Sequence, residues 1–442
     1  MNRLAILGGP KIRSTPYPAH VTTDDQEIPE VLRVLKTGIL SAFEGANTAF
    51  FLGGPEVRKL EQEWAERFGV RHAVAMNSAT SALMASIGAL GIGPGDEVLV
   101  PPWTMTATAT AALVYHALPV FCDIEERSYG LDPRALQRAI TPRTKAILAV
   151  HLFGHPADMD PILRTAQQHG LAVIEDAAQA PGASYKGRLA GTLGRIGVFS
   201  LNCNKIIQCG EGGIAVTDDE ELALRLRLIR NHAESAITTG IVVKNLSNMV
   251  GWNYRMTELE AAVARVQLRK LDRLLEQRLH LVEVLTKRLQ GLPGLRLPTV
   301  QPGCTHSYYR YAIRLDLNRI PVPGPIFAQL LNAEGMDFYP GYQPLYLQPI
   351  YQKQIAYGEQ GCPFRCACGN RTEPVSYARG ICPVAEQLQT EVISTEVVRP
   401  PLTPAEMEEI ARAFEKLLGA GPDALLEAQA VLLEQVPEAQ SR

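Results

Sequence analysis

The chain lacks any strong imbalance of charge. Its 43 Lys and Arg stand against 46 Asp and Glu over 442 residues, a formal net charge of −3. A polyanion-binding surface needs a basic excess, so nucleic acid is not expected as a partner. The composition also lacks the bias of a disordered or collagen-like chain, with 46% hydrophobic and 20% charged residues; two or three folded domains are expected at this length. Eight cysteines do not suggest a disulfide framework in so long a chain and are expected as free thiols. Cys362, Cys366, Cys368 and Cys382 cluster loosely, but their C-x3-C-x-C run is not a usual zinc spacing, and no metal is expected.

Long hydrophobic runs are scarce as well. Residues 98–122 carry no Lys, Arg, Asp or Glu, but Pro101-Pro102, four threonines, His116 and Pro119 divide the run into strand, helix and strand rather than a membrane span. The apolar stretch in residues 1–10 is too short for a signal peptide, so a cytoplasmic enzyme is expected, with no membrane partner.

What is present is an alternation. Apolar runs at 73–76, 97–101, 119–121, 146–150 and 172–175 read as buried strands. Helical patterns at 78–90, 106–115, 133–140 and 159–169 separate them, which implies parallel pairing through crossovers. Helices are also expected at 28–36 and 55–68, strands at 196–201 and 213–217, and further helices at 219–230 and 257–289. The expected domains are an N-terminal arm (1–40), a large domain (41–290), a small α/β domain (291–420) with a strand at 308–315 and a closing helix at 404–418, and a tail (421–442) that is an exposed helix or frayed.

Four local groupings could carry chemistry. Asn77-Ser78-Ala79-Thr80-Ser81 lies between a strand and a helix, where small residues let N–H groups converge on an anion; an ordinary N-cap would use the same residues. Glu175-Asp176-Ala177-Ala178-Gln179 ends a buried strand, where open α/β sheets bind ligands, and a desolvated Asp176 would need a cationic partner unless it merely caps the next helix. Ser200 is followed by Lys205 and then by Gly210-Glu211-Gly212-Gly213. Arginine outnumbers lysine about three to one, so a placed lysine carries information. Lys205 is either a Schiff-base amine lowered by desolvation or a solvated charge. Gly251 to Thr257 opens the long helix, where Thr257 and Glu260 offer a capping box. A phosphate nest, a buried Asp, a lysine and a Gly-rich turn in this order fit pyridoxal 5'-phosphate.

With these motifs the sequence resembles the DegT/DnrJ/EryC1/StrS sugar aminotransferases from about residue 51 to 418. The resemblance extends through Gly53-Gly54-Pro55-Glu56-Val57, Gly93-Pro94-Gly95-Asp96-Glu97-Val98, His151-Leu152-Phe153-Gly154 and Tyr254-Arg255-Met256-Thr257. It implies an α/β fold, pyridoxal-phosphate transferase fold type I (aspartate-aminotransferase-like), with a mixed, mostly parallel sheet in the large domain. It implies that Lys205 carries the cofactor as a Schiff base and then moves protons, and that Asp176 holds the ring nitrogen. By the same resemblance Gln179 contacts the cofactor face or its phenolic oxygen; Ser78, Ala79 and Ser200 bind its phosphate; and Asn253 reaches the phosphate of a neighbouring subunit, making a homodimer with shared sites. The aromatic that family members stack on the ring aligns with Met105, whereas the aromatic of this chain is Trp103, two residues earlier; both are candidates.

The resemblance further implies amino transfer from glutamine or glutamate to a keto-sugar or keto-cyclitol. The subgroup nearest in appearance is the glutamine:scyllo-inosose aminotransferases of aminocyclitol antibiotic pathways. A dehydratase or lyase on the same fold is the alternative, and Lys205 argues against it. Arg230 and Arg310 could contribute to a nucleotide site, and residues 345–380 could border the acceptor.

Overall fold

The computed structural model describes residues 3–235, 244–365 and 374–435. The predicted buried strands assemble into one seven-stranded sheet: β1 (His72–Met76), β2 (Glu97–Val100), β3 (Leu118–Phe121), β4 (Thr144–Val150), β5 (Ala172–Asp176), then, after a separate hairpin of β6 (Ser184–Tyr185) and β7 (Arg188–Leu189), β8 (Ile196–Ser200) and β9 (Gly213–Thr217). The spatial order is β1-β9-β8-β5-β4-β2-β3. Strands β8, β5, β4, β2 and β3 pair parallel, while β9 is antiparallel to both β8 and β1. The segment 201–212 between β8 and β9 holds no crossover helix, so the chain can only turn back on itself there. The sheet is thus mixed and mostly parallel, as expected.

Both faces of the sheet are covered, which is why its strands read as continuous apolar runs. On one face Val74, Met76, Val98, Ile174 and Val198 pack with α3 (Ala79–Ala89), α4 (Ala107–Val114) and α7 (Glu220–Arg230). On the other, Ala73, Ala75, Phe199 and Ile214 meet Val57, Leu60, Trp64 and Phe68 of α2 (Pro55–Phe68) and the long helix Glu258–Leu289. The long helix starts with the predicted Thr257–Glu260 capping box. The uncharged run 98–122 resolves into β2, α4 and β3, and among the described residues no helix is long and apolar enough to cross a membrane.

A second, antiparallel sheet follows in the order β10-β11-β13-β12: β10 (Leu295–Arg296), β11 (Tyr311–Leu315), β12 (Tyr339–Pro340) and β13 (Val392–Thr395). Its strand β11 starts at Tyr311, not at 308 as expected, because Tyr308 has φ +48° and interrupts the extended chain. Helices Gly324–Ala333 and Pro404–Gly419 cover it, Phe327 and Phe414 packing at 5.8 Å between ring centroids. The tail is not frayed over Pro422–Gln435, which form a helix that buries Leu425 and Ala428 against this second core. One thiol expectation is corrected: Cys362 is disulfide-bonded. Cys122, Cys203, Cys209, Cys304 and Cys382 are free thiols, while Cys366 and Cys368 lie outside the described residues.

Candidate active site

The carboxyl end of the parallel strands faces the second sheet, and a cavity of about 310 Å³ opens between them. Such a position at the strand ends is where open α/β sheets hold ligands. Ser78, Ala79, Met105, Asp176, Gln179, Ser200 and Lys205 all line it.

The anion end is built by β1, β9 and α3. Ser78 is extended (φ −165°) and caps α3 by accepting from the Ser81 N–H at 3.0 Å. The N–H groups of Ala79 and Thr80, at the positive end of the helix, have no acceptor among the described residues. Gly213 explains how strand and helix come so close. A Cβ there would lie 2.3 Å from the Ser78 carbonyl carbon and 2.4 Å from the Ala79 nitrogen. Ser200, the last residue of β8, adds a hydroxyl from the cavity floor.

Asp176 ends β5 and is buried. Its Oδ2 accepts from the Thr108 hydroxyl at 2.9 Å and its Oδ1 from the Ala178 N–H at 3.1 Å. Burial pushes its carboxyl above the usual range, with those donors and Lys205 pulling the other way. Next to it Gln179 accepts from the Phe153 N–H at 2.7 Å and donates to the Tyr342 hydroxyl at 3.4 Å. Glu175, one residue earlier and on the opposite face of β5, bonds His151 Nε2 at 2.8 Å and receives the N–H groups of Gly191, Leu193 and Gly194. That network fixes the strand end from which Asp176 projects.

Lys205 follows β8, with its Nζ 4.4 Å from the centre of the Tyr309 ring. Burial lowers its ammonium pKa, while Tyr342, Asp176 and Glu396 oppose the shift. Among the described residues no carboxylate pairs with it within 4.0 Å. Its carbonyl is in contact with His20 Nε2 at 3.2 Å, so the N-terminal arm holds the loop that carries it.

Trp103 is corrected. β2 ends at Val100, and the turn that follows sends Trp103 into the core, away from the cavity lining. There it packs edge-on against Phe153 and Tyr342 and donates its indole N–H to the Tyr342 carbonyl. Met105 is the residue of the pair that lines the cavity. Asn253 is exposed and does not line the cavity of its own chain. Arg230 is also remote from it, fully buried on Glu61 and the Ala75 carbonyl. Sequence reasoning missed Thr108 and the wall supplied by the second sheet: Tyr309, Tyr342 and Glu396, along with the position of Arg310 among them. Thr108 lies in the first turn of α4 and Thr104 in the bend before it, their hydroxyls 3.3 Å apart, and no local pattern tied either to Asp176.

These features fit pyridoxal 5'-phosphate. Open N–H donors at a helix start suit a dianion, a buried carboxylate with raised pKa suits a protonated ring nitrogen, and an amine with depressed pKa suits an aldehyde. Among the described residues no group of three His, Cys, Asp or Glu side chains could hold a metal.

Comparison with known proteins agrees with the geometry. Residues 35–372 match the model of the DegT/DnrJ/EryC1/StrS aminotransferase family. The spore coat polysaccharide biosynthesis protein SpsC of Bacillus subtilis is 37% identical over 76% of this chain and 86% of its own. An L-glutamine:2-deoxy-scyllo-inosose aminotransferase of Streptomyces kanamyceticus is 33% identical over 94% of this chain and 97% of its own. Among solved structures, S. venezuelae DesV superposes with a TM-score of 0.74 at 33% identity, over 89% of this chain and 94% of that one. These relatives serve different pathways, so they define a family and not one subgroup. The chain belongs to the DegT/DnrJ/EryC1/StrS aminotransferase family and is a pyridoxal-phosphate-dependent aminotransferase of fold type I.

Proposed function

We propose that this enzyme transfers the amino group of L-glutamine or L-glutamate to a keto-cyclitol or keto-sugar in aminocyclitol or aminosugar biosynthesis of the antibiotic type. The observation that carries the reading is Lys205 and Asp176 facing one cavity beside the unsatisfied start of α3. Support for a cyclitol comes from the similarity to the inosose aminotransferase, which spans both chains almost whole, including the second domain.

Bound pyridoxal phosphate would supply an aldehyde that takes up the amino group and a ring that accepts the electrons released at the substrate carbon. Ser78, Ala79 and Ser200 would hold its phosphate. Asp176 would keep a proton on the ring nitrogen, and its carboxylate is oriented for that by Thr108 and the Ala178 N–H. Lys205, whose ammonium form is disfavoured by burial, would take up the proton released from the donor's α-carbon and return it. Gln179, tied to Phe153 and Tyr342, lines the cavity and would contact the cofactor.

We also propose a homodimer. Ile28, Leu32 and Leu35 form an exposed apolar stripe on α1 (Glu27–Thr37), beside exposed Ile39 and Leu40. Trp252 and Asn253 are exposed as well, and a second copy on this face would let Asn253 serve the neighbouring site. The test of the substrate reading is end-point mass spectrometry of the holoenzyme with glutamine or glutamate and scyllo-inosose or a nucleotide-linked keto-sugar. An amino product from the cyclitol supports the reading. Loss of water without amine incorporation would replace it with the dehydratase alternative.

A further inference from the structure

An aminotransferase with one cavity must admit two substrates of different charge. On the reading above, the donor is an amino acid with an α-carboxylate, and the acceptor is a ketone without charge if it is a cyclitol. Among the described residues, the charged side chains lining the cavity are Asp176, Lys205, Glu211, Arg310 and Glu396. Lys205 and Asp176 are committed to the cofactor, which leaves Arg310 as the cation available to a carboxylate.

We propose that Arg310 receives the α-carboxylate of the amino donor, and that Glu396 is the built-in anion that occupies Arg310 whenever the uncharged acceptor is in the cavity. This rests on the donor and acceptor assigned above. The register of the second sheet creates the pair. Tyr311 opposes Thr395, so Arg310 and Glu396, each one residue outside that contact, meet at the cavity edge, where Arg310 Nη2 pairs with Glu396 Oε1.

Three details fit an exchangeable partner better than a permanent ion pair. The Arg310 Nε atom is buried and has no hydrogen-bond acceptor, so the guanidinium retains an unused donor for a second carboxylate oxygen. The guanidinium lies 5.6 Å and 5.7 Å from the ring centres of Tyr339 and Tyr342, surfaces over which it can turn without leaving contact. Glu396 has somewhere to go: its Oε2 is 3.6 Å from Arg399 Nη1, so it keeps a cation when Arg310 is taken by substrate. A half-buried guanidinium without any anion would be costly, and the internal carboxylate removes that cost while the neutral substrate reacts.

The experiment compares L-glutamine, or L-glutamate, with the corresponding α-carboxamide, L-glutaminamide for glutamine. The readout is loss of the cofactor's visible band in single turnovers of holoenzyme. The wild type should prefer the free acid. In Arg310→Met the apparent KM for the acid should rise about 10- to 100-fold relative to that for the amide, which collapses the preference. Glu396→Gln should instead lower the KM for the acid several-fold. An unchanged visible band on adding pyridoxal phosphate shows that each variant is folded and loaded.

Arg310→Met that keeps the wild-type preference, or that slows acid and amide equally, would overturn the assignment while leaving the aminotransferase reading intact. A wild type that takes an amino group from neither amino acid would refute the donor reading and this inference with it.

Discussion

At the scale of single residues, the chemistry rests on how each polar group is left short of partners. Asp176 receives one hydrogen bond on each oxygen, from Thr108 and Ala178, and its carboxyl pKa is raised by burial. Burial thus disfavours its anion, which a protonated nitrogen beside it would stabilise. Asp176→Asn keeps the shape and removes the charge; kcat should fall about 100- to 1000-fold, with the cofactor still bound. Retention of more than a tenth of the activity in steady-state assays would contradict the role of Asp176. The place of Asp176 was legible because it closes a buried apolar run, whereas Lys205, in the turn after β8, was singled out by the scarcity of lysine and given its role only by the family resemblance. Trp103 was not legible, because its direction depends on a turn after Val100 that no local pattern reports. Nor were Arg310 and Glu396 legible as a pair, since pairing of β11 with β13 joins them across 86 residues of chain.

At the scale of elements, the cavity depends on close approach. Gly213 lets β9 pass against the start of α3, and a methyl group there would meet backbone atoms at 2.3 and 2.4 Å, which flexible side chains cannot relieve. Gly213→Ala should push the helix start away from the phosphate position and weaken pyridoxal phosphate binding at least tenfold, measured by fluorescence titration; unchanged affinity would contradict the placement of the nest. The loop 186–195 is held by a different device. Its N–H groups and His151 converge on buried Glu175. Burial alone would raise the Glu175 pKa, but these donors outweigh it and hold the carboxyl below its usual value of 4.5. A carboxyl with a lowered folded-state pKa contributes its full stability above pH 4.5 and loses it as the pH falls below. Glu175→Gln should therefore cost about 3 kcal/mol in denaturant unfolding at pH 7, and its deficit should shrink under acid conditions. Equal deficits at pH 7 and pH 3.5 would contradict this. The element boundaries themselves were largely legible, since caps such as Thr257 and Asp219 and the breakers Pro55 and Gly170 mark the helix ends.

At the scale of the molecule, the two sheets face one another across the cavity; Ala312 and Val392 of the second join the core of the first, and the loop at Tyr342 is docked on Trp103. The exposed stripe of Ile28, Leu32 and Leu35 is the opposite case, apolar surface left uncovered among the described residues. Leu32→Asp should shift a dimer to monomer in sedimentation velocity and reduce activity, because Asn253 would no longer reach a neighbouring site. A wild-type monomer with full activity would contradict the shared-site proposal. Sequence composition gave no hint of this surface, since an apolar stripe facing solvent and one facing a core have the same period.

The most direct test of the whole account is the visible spectrum of the purified protein with pyridoxal phosphate. The wild type should gain a band from the cofactor held on Lys205, lose it on addition of glutamine or glutamate, and regain it with a keto acceptor, while Lys205→Ala should show neither the lysine-bound band nor turnover. A Lys205→Ala protein that gives the same band and cycles at the wild-type rate would contradict the account at its centre.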